Sequence, residues 1–436
     1  MSKTTNGVWE NHLLGSVSEL RRGITYNSEM LDDQNNGLFY INMKSFLKGG
    51  GFNADGLKRF SGFYKPNDLV DENDLLIANT DVTSGDIVGV PALLPEELKN
   101  EKLLYSHHVT LLRLNGSVLV SFLYYLLCLP EYRSWMIKFA RGTTVLMLDS
   151  NAIKKIPIRV PKDVKHQNHI IEILSTVDEE IEQTEVLIAK CQKIKAGLMN
   201  DLFTRGVTPD GCLRPTRARA PELYKQSPLG WIPQEWTADL LDRMALRGSG
   251  HTPNKNHPEF WNGGVKWISL SDSWRLDKVY ISETDKEISR LGIANSSAVI
   301  HPAGIVVLSR DAGIGKSAIT TSAMAVSQHF MCWRCDSKLN KYYLYYWLQD
   351  KKREFENIAT GSTIPTIGLR FFKNYKISIP VDVKEQERIV SILLESDKNI
   401  FKLESELEKL KSIKRGLMQD LLTGRVRVKV PELVNA

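Results

Sequence analysis

Two stretches of the chain carry apolar residues spaced alternately three and four apart. In the first these are Ile170, Leu174, Val177, Ile181, Thr184, Ile188, Cys191, Ile194, Leu198 and Leu202. In the second they are Ile389, Leu393, Ser396, Ile400, Leu403, Leu407, Leu410, Ile413, Leu417 and Leu421. This spacing draws one apolar seam along a helix, the heptad pattern of a coiled coil. Each helix runs for about 38 residues, roughly 57 Å at 1.5 Å per residue. Pro161 and Pro380 stand just before Asp163 and Asp382, whose carboxylates can accept from the first free N–H groups. Asp382 and Glu385 have capping-box spacing; His166 replaces the glutamate in the first copy. Gly206 and Gly424 suit the left-handed residue that ends a helix. A lone helix of this kind cannot bury its seam, so the two copies are expected to pair as a rigid spacer, leaving surface for another protein. The acidic run Asp178-Glu179-Glu180, with Glu182 and Glu185, reads as a solvated face.

The helices belong to an internal repeat. Residues 140–207 align without a gap onto 359–426 at a constant offset of 219, with about 26 of 68 positions identical against roughly one in seventeen by chance. Upstream the likeness is weaker but keeps its order. Trp9 pairs with Trp236, Gly23-Ile24-Thr25 with Gly250-His251-Thr252, and Ser106-His107-His108 with Ser327-Gln328-His329. Tyr124-Tyr125 pairs with Tyr345-Tyr346.

Short apolar runs at Leu75–Ala78, Val109–Leu114, Ile305–Leu308 and Phe330–Arg334 predict strands, separated by turn-rich segments. The runs Val120–Leu129 and Lys341–Leu348 predict helices whose aromatics pack a core. Residues 207–230 hold Arg214, Arg217, Arg219 and Lys225 with four prolines, the composition of a solvated connector. The expected order is a mixed α and β domain over 1–162, a helix over 163–206, a linker over 207–230, a second domain over 231–381, a helix over 382–424 and a tail over 425–436. The fold class is α+β: two similar mixed domains separated by two long antiparallel coiled-coil helices, with an internal pseudo-two-fold repeat.

Composition narrows the function without assigning it. Apolar residues make up 42% and charged residues 25% of 436, which excludes disorder over most of the length. Net charge is +6, so a nucleic-acid partner is permitted. Five cysteines suit a reducing compartment, and no stretch is long and apolar enough to span a bilayer, so the cytoplasm is the expected location. Gly313-Ile314-Gly315-Lys316-Ser317 resembles the end of a phosphate-binding loop, but Arg310 stands where the first glycine is required. Cys332 and Cys335 lack a second ligand pair, so no metal is assigned. Catalytic residues and cofactors are assigned nowhere.

The runs Ile379-Pro380-Val381-Asp382-Val383-Lys384-Glu385-Gln386-Glu387-Arg388-Ile389 and Leu410 to Gly424 resemble the specificity subunit (HsdS) of type I restriction–modification enzymes. Pro161, Gln167, Ile170 and Gly197-Leu198-Met199 carry the same resemblance in the first copy. It implies two target-recognition domains alternating with two spacer helices, each domain reading half of a split duplex DNA target. It also implies two modification (methyltransferase) subunits docked on the helices and using S-adenosylmethionine for adenine N6 methylation. Nuclease and translocase subunits using ATP complete the implied complex, so the chain itself is expected to be a non-catalytic address and scaffold. A dyad-related pair of readers suits duplex DNA, with half-sites about one helical turn, roughly 10 bp, apart. The helix length sets an upper bound of about 17 bp. Candidate DNA contacts are Arg22, Thr25, Lys44, Thr80, Arg141 and Thr143 in the first half, and Ser249, Thr252, Arg310, Lys316, Ser317 and Thr363 in the second. The competing reading is a coiled-coil assembly adaptor that binds only protein; it accounts for the helices but not for two divergent domains with basic loops.

Overall fold

The computed structural model describes residues 8–32, 37–82, 85–359 and 365–428. Two long helices dominate it, Val164–Arg205 and Val383–Leu422, here called the first and second rods. The chain divides into two compact units, residues 1–185 with 406–436, and residues 186–405. Each unit therefore combines one globular domain with one half of each rod. No helix among the described residues is long and apolar enough to cross a membrane.

In the first unit, the runs read as strands lie in a four-stranded antiparallel sheet. Its order is Ser18–Arg22, Val109–Leu114, Asp74–Ala78 and Pro91–Ala92. A second four-stranded sheet includes Leu38–Ile41, which runs parallel to Leu103–Tyr105. The run at 120–129 becomes the helix Val120–Leu127, broken by Pro130, which starts a second helix, Pro130–Phe139. Strands Trp9–Leu13 and Pro157–Pro161 pair antiparallel and lead the chain into the first rod. The core joins Trp9, Leu75, Phe122 and Leu126 to Ile170 and Leu174 of one rod and to Met418, Leu421 and Leu422 of the other.

The second unit repeats this plan. A five-stranded sheet is ordered Ala245–Ser249, Phe330–Cys335, Val306–Ser309, Ser317–Thr320 and Tyr280–Ile281. Trp236–Leu240 pairs with Lys376–Pro380 in the register of its first-unit counterpart, Trp236 opposite Pro380 as Trp9 is opposite Pro161. Tyr343, Tyr345 and Tyr346 of the helix Lys341–Asp350 are buried with Met199, Leu202 and Phe203 of the first rod and Ile389 and Leu393 of the second. Cys332 and Cys335 both lie in the strand Phe330–Cys335, and burial pushes both thiols up to about 12.

The rod seams are buried at Ile170, Leu174, Ile188, Leu202, Ile389, Leu393, Ile400 and Leu421. They are half-buried at Val177, Ile181, Leu198, Leu403, Leu407, Leu410 and Leu417. Two seam assignments are corrected: Ile194 and Ile413, equivalent positions in the two copies, are 58% and 52% exposed. Burial returns at Leu202 and Leu421, so the departure is confined to about one turn of each rod, where a lysine takes the inward place. The face steps instead through Lys195 to Met199, and through Lys414 to Met418.

Residues 207–230 are mostly exposed, as expected of a connector, but they are not without structure. They contain a short 3-10 turn, Pro221–Leu223, and most of a hairpin, Tyr224–Ser227 with Gly230–Pro233. Arg214 is buried there against Glu385 of the second rod. That contact also corrects the expected capping box. The Asp382 side chain does cap, accepting from the Lys384 N–H. Glu385, however, turns inward and accepts from Arg214, from the Trp236 indole N–H at 3.1 Å and from the Val207 N–H at 3.0 Å. A Cβ on Gly206 would sit 2.2 Å from this carboxylate, and its φ of +67° is one that glycine adopts without strain.

Candidate nucleic-acid interface

The loop cluster can act as a reader only if each domain is fixed to its rods, and two polar devices do this in both units. Just inside each rod, a fully buried glutamine replaces three backbone bonds. Gln167 Nε2 donates to the carbonyls of Pro161 and Ser117, and its Oε1 accepts from Leu119 N–H at 2.8 Å. Gln386 repeats this with Pro380, Lys338 and Asn340. The segment leading into a domain helix, Val120–Leu127 in one unit and Lys341–Asp350 in the other, is thereby locked to the rod's first turn.

Further along, an aspartate bridges a tyrosine and a lysine. Tyr125 donates to Asp178 at 2.8 Å, Lys414 pairs with the same carboxylate, and its ammonium lies 5.7 Å from the centre of the Tyr125 ring. In the second unit Tyr346 donates to Asp397 at 2.6 Å while Lys195 pairs with Asp397 and faces the Tyr346 ring. Asp178 is therefore not part of a solvated acidic face. Together with Lys411 against Glu185, the Lys414–Asp178 pair runs the two rods antiparallel through the first unit.

The tips of the sheets form the exposed polar surface. In the first unit Arg22, at the end of its strand, donates through Nε to the His107 carbonyl at 3.1 Å. The His107 and His108 rings lie 3.9 Å apart, and Thr80 Oγ1 meets His108 Nδ1 at 3.1 Å. Burial, then the neighbouring His107 and Arg22, hold the His108 imidazole below its ordinary pKa. Asn79 accepts from Leu148 N–H, which brings the Arg141–Met147 turn beside Thr80. The structure thus brings Arg22, Thr80 and the turn carrying Arg141 and Thr143 to one end of the sheet. Arg22, Thr25, Lys44, Arg141 and Thr143 are exposed. Thr80 is a correction: it is buried and its hydroxyl is taken by His108, because it forms the short strand Thr80–Asp81 under the turn.

In the second unit the same end of the sheet holds Ser249, Thr252, Gln328, His329, Arg310 and Asp311. Ser249 is exposed and Thr252 half-buried. Arg310 spans the cluster, donating to the carbonyls of Ile367 at 2.9 Å and Gln328 at 3.3 Å. Its guanidinium braces two loops. Arg22, at the end of one strand, and Arg310, just past the end of another, thus hold the backbone carbonyls of His107 and Gln328, which are aligned residues. Lys316 lies in the turn after Arg310 and donates to the Ser273 carbonyl at 3.2 Å. Ser317 is a second correction: it is fully buried, accepting from Gln349 Nε2, because it begins the strand Ser317–Thr320. Thr363, with the run Thr360-Gly361-Ser362-Thr363, and Thr83 and Ser84 lie outside the described residues, as does the tail from 429.

Residues 6–190 and 234–415 match the family model of the type I restriction modification DNA specificity domain. The chain belongs to this specificity-subunit family. It is 26% identical over 432 residues to the MjaVIII specificity subunit of Methanocaldococcus jannaschii, covering 97% of this chain and 93% of that one. A shorter match, 27% over 199 residues, joins it to the MjaIX specificity subunit of the same organism, covering 45% of this chain and 46% of that one. The crystal structure of a type I restriction–modification S subunit from M. genitalium shares the fold, with a TM-score of 0.57 at 14% identity over 96% of this chain and 98% of that one. As a specificity subunit the chain is non-catalytic, and catalysis lies in other subunits of the type I enzyme.

Sequence reasoning missed Gln328, the two glutamine locks and both Tyr–Asp–Lys bridges. A signal for them existed: Gln167 and Gln386, Asp178 and Asp397, and Lys195 and Lys414 are all identical at the offset of 219. Polar identity beside an apolar seam marks a position whose partner is fixed.

Proposed function

We propose that this specificity subunit reads a bipartite duplex DNA target, one half-site per domain, with an unread gap of several base pairs between them. One observation carries the reading: the anchors are duplicated residue for residue, whereas the loop tips are not. The same strand register, buried glutamine and Tyr–Asp–Lys bridge recur in both units. The tips differ at the aligned His107 and Gln328, and in the place from which an arginine reaches that residue's carbonyl, Arg22 in one and Arg310 in the other. A shared frame with divergent tips suits two readers of different half-site sequence. Exposed Arg22, Lys44 and Arg141 would meet phosphates and guanine edges, and Thr25, Thr143, Ser249 and Thr252 would supplement base readout.

Chemistry belongs to partners in this reading. Two modification subunits, carrying S-adenosylmethionine, would dock on the exposed flanks of the rods, and nuclease and translocase subunits using ATP would join through them. The working location is the cytoplasm. Co-purification with the product of a neighbouring methyltransferase frame, followed by footprinting on a selected duplex, tests the reading. Two protected segments separated by an accessible gap are expected. A single continuous footprint, or no sequence selection from randomised duplexes, would overturn it.

A further inference from the structure

Gln328 is exposed at the tip of the second domain, yet both ends of its amide are held. Asp311 lies behind it, about nine-tenths covered, and its carboxylate faces His329 Nδ1 on one side and the Thr366 hydroxyl on the other. Gln328 Nε2 only donates, and it lies 3.3 Å from His329 Nε2, so that nitrogen is placed as the acceptor and the ring N–H falls on Nδ1, toward the Asp311 carboxylate. Thr252 donates to Gln328 Oε1 at 2.5 Å. The main chain is held as well, through the Arg310 guanidinium on the Gln328 carbonyl.

These bonds use one N–H and one oxygen lone pair of the amide, which leaves it one of each on an exposed side chain. That donor–acceptor pair is the complement of the adenine major-groove edge, where N7 accepts and N6 donates. Rotamer freedom lost on binding is small, because the side chain is already fixed.

We infer that Gln328 is the adenine-reading side chain of the second half-site, oriented by the Asp311–His329 pair and Thr252. The aligned residue of the first half is His107, which has a single ring nitrogen pair and no amide, so the equivalent position there is read differently.

The inference rests on the two-part target proposed above, and the experiment separates the two. Target selection from randomised duplexes is run with the full chain and its co-expressed partner subunits, first unaltered and then as Gln328→Ala. The unaltered protein is expected to select adenine at one position of one half-site. Gln328→Ala should relax that position alone, losing about tenfold in affinity for the adenine duplex while the other half-site stays as selective. Placing 7-deazaadenine there removes the N7 acceptor; it should weaken the unaltered protein and leave Gln328→Ala unchanged. Should Gln328→Ala fail to fold, Gln328→Arg decides, because its fork should shift the preference to guanine. If the unaltered protein selects no two-part target, the function proposed above fails. If it does, and the Gln328 variants keep the same preference at every position, this inference alone is wrong.

Discussion

At the scale of single residues, the most consequential contact is one the sequence pattern disguised. Asp382-x-x-Glu385 has the spacing of a capping box, yet Glu385 is 3% exposed and faces Arg214, the Trp236 indole and the Val207 N–H. A buried arginine nearby changes what a glutamate at that position does, and no local pattern reports an arginine 171 residues away. Glu385→Gln should leave buried Arg214 only the exposed Glu235 carboxylate, 3.6 Å away, and cost about 3 kcal/mol, measured by denaturant unfolding. Replacing the pair together with Met and Leu should recover most of that loss. If the single variant unfolds like the unaltered protein, the pair does not hold the rod to its connector. The first copy has His166 in this place, set edge-to-face against Trp9, so the charge is a property of one unit only.

At the scale of elements, the strands Val109–Leu114 and Phe330–Cys335 and both rods were legible because their patterns are local: continuous apolar runs between turns, or one face repeated. The burial of Arg214 in the connector was not legible, because nothing around it in sequence points to Glu385. The rods departed from the pattern for one turn each, at Ile194 and Ile413, and there a lysine enters the face. Each of those lysines serves an aspartate that also holds a domain tyrosine. Tyr125→Phe and Tyr346→Phe should each cost about 1.5–3 kcal/mol, the ordinary worth of a hydrogen bond to a charged group. A double-mutant cycle between Asp397→Asn and Lys195→Met should show coupling of about 0.5–3 kcal/mol. Strict additivity would mean that the bridge is a surface coincidence. The reader tips were least legible, since exposed loops carry little periodic signal and a residue such as Thr80 or Ser317 is decided by which way a strand edge faces.

At the scale of the whole molecule, neither half of the sequence completes a core by itself. The first unit needs Met418, Leu421 and Leu422 from the second rod, and the second needs Met199, Leu202 and Phe203 from the first. Residues 1–206 and 207–436 produced separately should therefore be insoluble or poorly folded. Co-expressed, the two should co-purify as one species; recovery of a stable, folded 1–206 fragment would contradict the exchanged cores. A related consequence follows from the contact of Trp9 with the backbone at Gly424, where a Cβ would lie 2.9 Å from the indole. Residues early and late in the polypeptide therefore meet within one unit, as if by a clasp. A peptide joining the chain just before Trp9 to the chain just after Gly424 would make that clasp covalent, and new ends could then be opened at the tip of the hairpin near Pro228. The resulting permuted chain would start in a different domain and keep the same contacts.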